Sequence, residues 1–195
     1  QRLQGLAFSY TIPSSHNIYS ATAFQANFQR EDTSTYINRL ISLEGSWSRS
    51  FLRGQRLRLY VKTQQEDYTI GEQHDSAFLL LPGLSFSLRH FDSTIRPTLG
   101  YRLALDFRGT HQYFGSSTGL LQCIVEGHGI VPLPWRFSLK GSAKAGYTLQ
   151  NEPLKELPAS LRFFAGGDRS VRGYGYQELG PRDSSGDVVG GKNLL

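Results

Sequence analysis

The chain has 195 residues, a formal net charge of +5, 12% aromatic residues and a mean hydropathy of -0.36. No run approaches the roughly 20 apolar residues that a membrane-spanning helix needs, and the basic residues are scattered singly, which does not favour nucleic-acid binding. The single cysteine, Cys123, excludes an internal disulfide and a cysteine-based metal cluster within one copy of the chain.

Segments that alternate with period two predict about eight β-strands before residue 150. In chain order they cover residues 6–12, 17–28, 37–49, 55–62, 77–91, 96–108, 120–128 and 135–147. The clearest, 55–62, places Leu57, Leu59 and Val61 on one face and the polar residues between them on the other. Several segments reach the roughly 9 to 11 residues of a membrane-crossing strand, which favours a transmembrane β-barrel.

Aromatic residues and loop lengths agree with that interpretation. Aromatic side chains near the strand ends resemble an interfacial girdle: Tyr10, Tyr19, Phe28, Trp47, Phe51, Phe91, Phe107, Trp135 and Tyr147. The short connection at 131–135 and the polar stretches at 30–36 and 63–76 predict short turns at one rim and longer loops at the other. Periodicity alone does not assign inside and outside, so a soluble all-β sandwich or lipocalin-like barrel stays open on the pattern.

A connection of nearly 40 residues follows the last alternating segment, far longer than the roughly 12 to 15 that compact domains usually tolerate without a function. Its middle reads LPASLRFFAGGDRSVRGYGYQELGPRD. Glycines there permit close backbone approach, and arginines stand beside aromatic residues. We expect a loop that packs tightly against another part of the protein. Its candidate motif comprises Gly166, Gly167, Asp168, Arg169, Val171, Arg172, Gly173 and Tyr174.

The tetrad Val171, Arg172, Gly173 and Tyr174 resembles the V-R-G-[FY] hallmark of the bacterial surface-antigen family of outer-membrane assembly barrels. The longer stretch RFFAGGDRSVRGYGYQELGPRD, with GDVVGGKNLL after it, resembles the TamA (translocation and assembly module) branch more than the BamA branch. The resemblance implies that this loop is the sixth extracellular loop, folded into the lumen. It assigns to Arg172 a contact with acidic residues of the inner wall.

The resemblance also implies a domain organisation. Residues 1–195 would form a partial barrel domain, with strands over about 1–149, the lumen loop over 150–188 and the start of the next strand over 189–195. Such a piece would supply about eight to nine strands from the middle of a barrel of roughly sixteen. The periplasmic POTRA modules and the first and last strands would lie outside it, including those that usually furnish the acidic partners of Arg172.

No catalytic, metal-binding or cofactor-binding arrangement is evident in the sequence. The five histidines lack the spacing that aims two imidazoles at one metal, and FGSSTG around Ser116 is not a nucleophile elbow. The glycines near Arg172 lack the G-K-[ST] of a phosphate loop. Alternation places Gln122, Glu126 and His128 on one face, which we interpret as a charge-balanced lumen wall.

The resemblance implies a non-enzymatic protein of the bacterial outer membrane that inserts or exports β-barrel or autotransporter clients. Expected partners are outer-membrane lipids, the client proteins and a TamB-type periplasmic protein, without nucleic acid or cofactor. Two alternatives stay open. A passive porin-like channel would use the inward charges to select ions, and a two-partner secretion transporter would export one dedicated passenger.

Overall fold

The computed structural model describes residues 2–32, 36–52, 54–70, 73–150, 157–167, 170–171, 173–182, 186 and 188–194. Its described residues form one antiparallel sheet of nine strands in sequence order, with three short 3-10 turns. No helix among them is long and apolar enough to cross a membrane.

Each strand pairs with its neighbours in sequence, so the sheet is a simple meander. The strands are β1 Arg2–Pro13, β2 Ser20–Asp32, β3 Tyr36–Ser50, β4 Gln55–Ile70, β5 Gln73–Phe91, β6 Gly100–Thr110, β7 Leu120–Pro132, β8 Ser138–Leu149 and β9 Asn193–Leu194. All but β9 are longer than the roughly 5 or 6 residues of an average globular strand. The sheet is therefore of membrane-crossing height.

The two faces of the sheet differ as the alternation predicts. On β4, Leu59 and Val61 point to the outer face and are about half exposed, whereas Tyr60 and Glu66 are buried on the inner face. The register of each strand pair shows which residues of the other strands share the outer face with Leu59 and Val61. The exposed apolar residues on that face include Leu6, Phe8, Phe24, Phe28, Ile41, Leu43, Trp47, Phe78, Leu103, Phe107, Val125, Leu139 and Tyr147. An apolar exterior around a polar interior is the arrangement of a membrane barrel and the reverse of a soluble one.

The prediction of a long polar loop over 63–76 is wrong. β4 continues to Ile70 and β5 begins at Gln73, and the two strands pair from Gln55↔Leu88 to Ile70↔Gln73. The polar residues that suggested a loop include Gln64 and Glu66, which are buried on the inner face, where hydrogen bonds satisfy their polar groups. The described connections at the two rims therefore do not alternate simply between short and long.

Where it is described, the chain between β8 and β9 lies across the inner face of the sheet. We call its described part the lumen segment, which comprises residues 157–167, 170–171, 173–182, 186 and 188–192. Leu157 and Leu161 pack with inner-face leucines of β5 and β7. Ala159 packs with Tyr68 and Ala77. Most of the buried apolar side chains lie at this contact, so it forms the core of the described structure.

Candidate functional site

Glu66 anchors the beginning of the lumen segment to the wall. Its carboxylate accepts hydrogen bonds from the Ser160 backbone N–H at 2.9 Å and from the Ser160 hydroxyl, and Asn38 Nδ2 donates to it at 3.0 Å. Gln64 Nε2 donates to the Ser160 hydroxyl oxygen at 3.0 Å. The glutamate is fully buried. A buried carboxylate is tolerated only when its oxygens have partners, and here the lumen segment supplies two of them.

An apolar contact surrounds this polar anchor. Leu157 precedes a short 3-10 turn, Ala159–Leu161, and Leu161 is its last residue; each leucine is at most 2% exposed. They pack with Leu79 and Leu81 of β5 and with Leu120 of β7. A fully buried leucine contributes about 1.5–3 kcal/mol relative to an exposed one. The two leucines therefore add an apolar contribution to the docking of this part of the segment on the wall.

Gln122 of β7 forms the second polar anchor. Its Nε2 donates to the carbonyl of Leu161 at 2.9 Å and to the Thr148 hydroxyl of β8 at 2.7 Å. Its Oε1 accepts from Arg108 Nε on β6 at 2.9 Å. One amide thus connects three wall strands with the lumen segment. The sequence placed Gln122 on the lumen face but gave no indication of this contact.

Arg162 is the buried arginine of the described segment, 6% exposed. Its Nε donates to the Leu157 carbonyl at 2.6 Å and its Nη1 to the Val189 carbonyl at 3.0 Å. The guanidinium carbon lies 5.9 Å from the Tyr68 ring centroid. Burial lowers the pKa of Arg162, while Tyr68 and Glu66 act in the opposite direction. A guanidinium keeps its charge in proteins, so Arg162 ties both ends of the segment together as a cation.

Phe163 fits over a wall residue that has no side chain. A Cβ atom on Gly146 of β8 would lie 2.2 Å from Phe163 Cζ. Phe163 also pairs with Gly191 through two backbone hydrogen bonds of 2.8 Å. The aromatic ring therefore lies flush against β8 because position 146 is glycine.

The described residues of the candidate motif lie in the middle of the lumen segment. Gly166 and Gly167 have φ values of +109° and +96°, and Gly167 N–H donates to the Tyr174 carbonyl at 3.1 Å. A Cβ on Gly166 would meet the Gly175 carbonyl at 2.4 Å, so a side chain there would open the hairpin. Val171 and Tyr174 are about half exposed. Gly173 has a φ of +96°. Asp168, Arg169 and Arg172 lie outside the described residues.

Paired charges also line the inner wall, and one pair, Glu126 and Lys144, faces a cavity that residues of the lumen segment share. Arg58 of β4 forms a salt bridge with Glu44 of β3, and Lys144 of β8 with Glu126 of β7 at 2.9 Å. Tyr60 donates to Asp106 at 3.0 Å. Arg58, Tyr60, Asp106 and Glu126 belong to a cleft of about 330 Å³. No metal-binding cluster of three or more His, Cys, Asp or Glu occurs among the described residues. The arrangement suits a solvated, charge-balanced wall.

The anchors Glu66, Ser160 and Arg162 were missed by the sequence analysis. Glu66 fell in the stretch interpreted as a loop, although it continues the alternation of Tyr60, Lys62 and Gln64. Extending the period-two pattern to Tyr68 would have placed Glu66 on the inner face. No sequence signal pairs it with Ser160, since the two are separated by 94 residues.

Comparison with known proteins decides the family. The profile of the Omp85 superfamily domain matches residues 2–195. The chain belongs to the Omp85 superfamily. The Omp85 chain is also similar to the outer membrane protein assembly factor BamA of Nitratidesulfovibrio vulgaris, with 28% identity over 145 residues. It is similar in fold to BamA from Haemophilus ducreyi, whose crystal structure lacks POTRA domains 1–3, with a TM-score of 0.81 and 16% identity.

The coverage of these relatives is unequal. The first match covers 73% of this chain and 18% of the relative, and the second covers 98% of this chain and 43% of the solved one. The Omp85 chain thus spans less than half the length of each relative. Fold, family and a bacterial outer-membrane location follow from these matches.

Proposed function

We propose that the protein containing this Omp85 chain assembles or translocates other outer-membrane proteins, with β-barrel or autotransporter proteins as clients. The observation that carries the proposal is a lumen segment attached to the inner wall by Glu66 and Gln122 in a chain of this superfamily. A wall braced from within keeps its shape while strands elsewhere in the barrel exchange partners. A free strand edge then receives a client strand by β-augmentation.

Within the superfamily we propose a TamA-like role, on the likeness of the stretch around the tetrad to that branch. A TamA-like protein implies a TamB-type periplasmic partner and autotransporter clients. Outer-membrane lipids contact the outer face. A two-partner secretion transporter shares the tetrad-bearing loop, and it would export a single passenger instead of serving several clients.

A passive porin-like channel is the other candidate, and the charged inner wall is the observation that favours it. Arg58, Lys144 and their acidic partners resemble a water-filled pore lining. The lumen segment argues against a porin-like channel. It packs on inner-face residues of strands from β4 to β8 and buries them. An open pore would require the interior beside these strands to be unoccupied.

Arg172 is the residue through which we propose to test the assembly function. In the resembling family its guanidinium braces the loop against acidic wall residues, and a charge in a narrow lumen requires such partners. We expect Arg172→Ala in the full-length protein to reduce surface display of an autotransporter client at least about tenfold, the equivalent of about 1.4 kcal/mol. Display is measured by flow cytometry, and barrel folding by the heat-dependent shift of mobility on gels.

Arg182→Ala is the matched control in the same segment, because its guanidinium is exposed and donates to the Gly186 carbonyl. It should leave display unchanged. Lost display with a folded barrel supports the assembly function. Loss of folding together with display makes Arg172 a structural brace, and normal display with normal folding removes the proposed role of the tetrad.

A further inference from the structure

The charge balance of the inner wall does not extend over its whole height. The turns that join β5 to β6 and β7 to β8 lie at one end of the sheet, opposite the end at which β8 finishes. We call the inner-face residues of the last two levels of strand pairing before these turns the cationic end: Arg89, Phe91, Gly100, Arg102, His128, Ile130, Lys140 and Ser142. Among the described residues, no acidic side chain lies on the inner face at these two levels.

Two arginines face each other at the cationic end. Arg89 of β5 and Arg102 of β6 are direct partners in the antiparallel pairing, and like charges in that position are destabilising. Neither forms a salt bridge with an acidic residue in the described part of the chain. Glu126, the acidic residue of β7, is paired with a lysine of β8, and Asp92 in the adjacent turn accepts hydrogen bonds from Thr98. The arginine pair therefore has an energetic cost that a bound anion would remove.

Arg89 is held in place by its neighbours. Its guanidinium carbon lies 5.4 Å from the ring centroid of Phe91. That ring lies over Gly100, where an added Cβ would be 2.5 Å from Phe91 Cδ1. The Arg89 backbone N–H donates to the Gly54 carbonyl at 2.8 Å. The side chain of Arg89 is nevertheless exposed to the lumen. A guanidinium supported on a ring loses little freedom when it binds, and its planar fork matches a carboxylate.

The spacing of the cations favours an extended acidic peptide over a small anion. Arg89 on β5 and Lys140 on β8 are separated by three strand spacings of about 4.8 Å, or about 14 Å, with Arg102 between them. In an extended peptide, side chains on every second residue share one side and are about 7 Å apart, so three successive carboxylates also cover about 14 Å. Lipid phosphate is separated from these residues by the wall itself, whose outer face is apolar.

We propose that the cationic end is a docking site for an acidic, extended segment of a client polypeptide, whose carboxylates pair with Arg89, Arg102 and Lys140. This inference rests on the proposed assembly function, to which it adds the end of the lumen that a client contacts and the charge of the segment that docks there. An acidic segment of the same full-length protein is the competing occupant, and the experiment separates the two.

The first test measures peptide binding to the purified full-length protein in detergent by fluorescence anisotropy. The probe is a short labelled peptide in which glutamate alternates with threonine. We expect it to bind at least about tenfold more tightly than the same peptide with glutamine in place of glutamate. The double variant Arg89→Gln, Arg102→Gln relieves a repulsion, so it should fold like the parent, as judged by heat-dependent gel mobility, but lose that preference.

Arg30→Gln, Arg39→Gln is the matched control, because these two arginines form the same kind of opposed pair on the outer face of β2 and β3. It should keep the preference for the glutamate peptide. Equal affinity of the parent for both peptides overturns the proposal, as does an unchanged preference in the inner-face variant. Absence of binding to the parent also overturns it, and assigns the cations to carboxylates elsewhere in the full-length protein.

The second test places a photo-crosslinking amino acid at Ser142, on the inner face of β8 opposite His128, in cells that assemble an autotransporter client. We expect a crosslink to the client there and none from Ala145, which lies on the outer face opposite Val125. A client that is displayed normally without the Ser142 crosslink overturns the docking site alone. Display that does not depend on the protein overturns the assembly function instead.

Discussion

Glu66 shows how one buried carboxylate can decide the position of a whole segment. Asn38 and Ser160 direct their N–H and O–H groups at its two oxygens, and Gln64 extends the chain of hydrogen bonds. Removing the acceptor would leave the buried Asn38 amide without its acceptor, which costs more than the hydrogen bond itself contributes. The residue therefore selects one docked arrangement of the lumen segment over others.

Glu66→Ala is expected to destabilise the docked segment by about 2–4 kcal/mol, because the buried Asn38 amide and the two donors of Ser160 lose a charged acceptor. The measurement is hydrogen exchange of the Ser160 amide in the full-length protein. Glu66→Gln retains an acceptor oxygen and should cost less. Asp67→Ala, at the exposed neighbouring position on the outer face, is the control. Equal exchange in Glu66→Ala and the parent would show that the leucine contacts hold the segment alone.

Asp92 gives a pH-dependent prediction at the turn between β5 and β6. The Thr98 hydroxyl and neighbouring backbone N–H groups donate to its carboxylate and lower its pKa from 3.8 to about 2. Because the folded pKa lies below the unfolded one, this stabilisation is complete above about pH 4 and is lost as the pH falls towards 2. The protection factor of the Thr98 amide should fall across that range. In Asp92→Asn it should be lower at neutral pH and flat between pH 2 and 5.

At the scale of the element, β8 is shaped by what packs on it. Gly146 leaves room for the Phe163 ring, and the edge pairing of β8 with β9 is confined to Gly146↔Leu194 and Tyr147↔Asn193. Elsewhere the inner face of β8 carries polar residues such as Ser142 and Lys144. The strand therefore meets the lumen segment most closely at Gly146, near its end, while Ser142 and Lys144 line a cavity that the segment shares.

Gly146→Ala is expected to displace Phe163 and to cost about 1–3 kcal/mol, since a Cβ would overlap the ring. Limited proteolysis of the lumen segment in the folded protein measures the effect. Gly141→Ala lies on the same strand, where a Cβ meets no atom within 4 Å, and should be neutral. The double variant Gly146→Ala, Phe163→Ala should regain protection, whereas continued cleavage would refute the steric explanation.

The strands and their faces were predictable from the sequence because side-chain alternation is a local property. Leu57, Leu59 and Val61 identify the outer face of β4 without any knowledge of its neighbours. The ends of β4 and β5 were not predictable, because Gln64 and Glu66 resemble loop residues until their partner Ser160 is known. Contacts across nearly 100 residues leave no periodic signal. The role of Arg172 stays a prediction.

At the scale of the whole molecule, the lumen segment and the charged wall together determine whether the interior conducts. The segment is attached at β4 through Glu66 and at β7 through Gln122, so both attachments must fail before it leaves the wall. The paired charges Glu126 and Lys144 would then line an open space.

The double variant Glu66→Ala, Gln122→Ala in the full-length protein is therefore expected to raise single-channel conductance at least about threefold in planar bilayers, because lost hydrogen bonds free the segment. Each single change should have a smaller effect. The matched outer-face pair Asp67→Ala, Gln65→Ala should not alter conductance. If the parent already conducts as strongly as the double variant, the lumen is open and the porin-like function gains support.

The attachment of Ser160 to Glu66 also dictates an order of events in time. Strands β1 to β8 are joined by hairpins, so each can pair with its predecessor at a small cost in loop closure. The two anchored residues are 94 positions apart, and their contact waits until β4 to β7 have been laid side by side. Docking of the lumen segment is thus a late step, which requires that β4 to β7 have already paired. A wall in which a hairpin between β4 and β7 is out of register does not present Glu66 and Gln122 together, so the segment then lacks its two polar anchors.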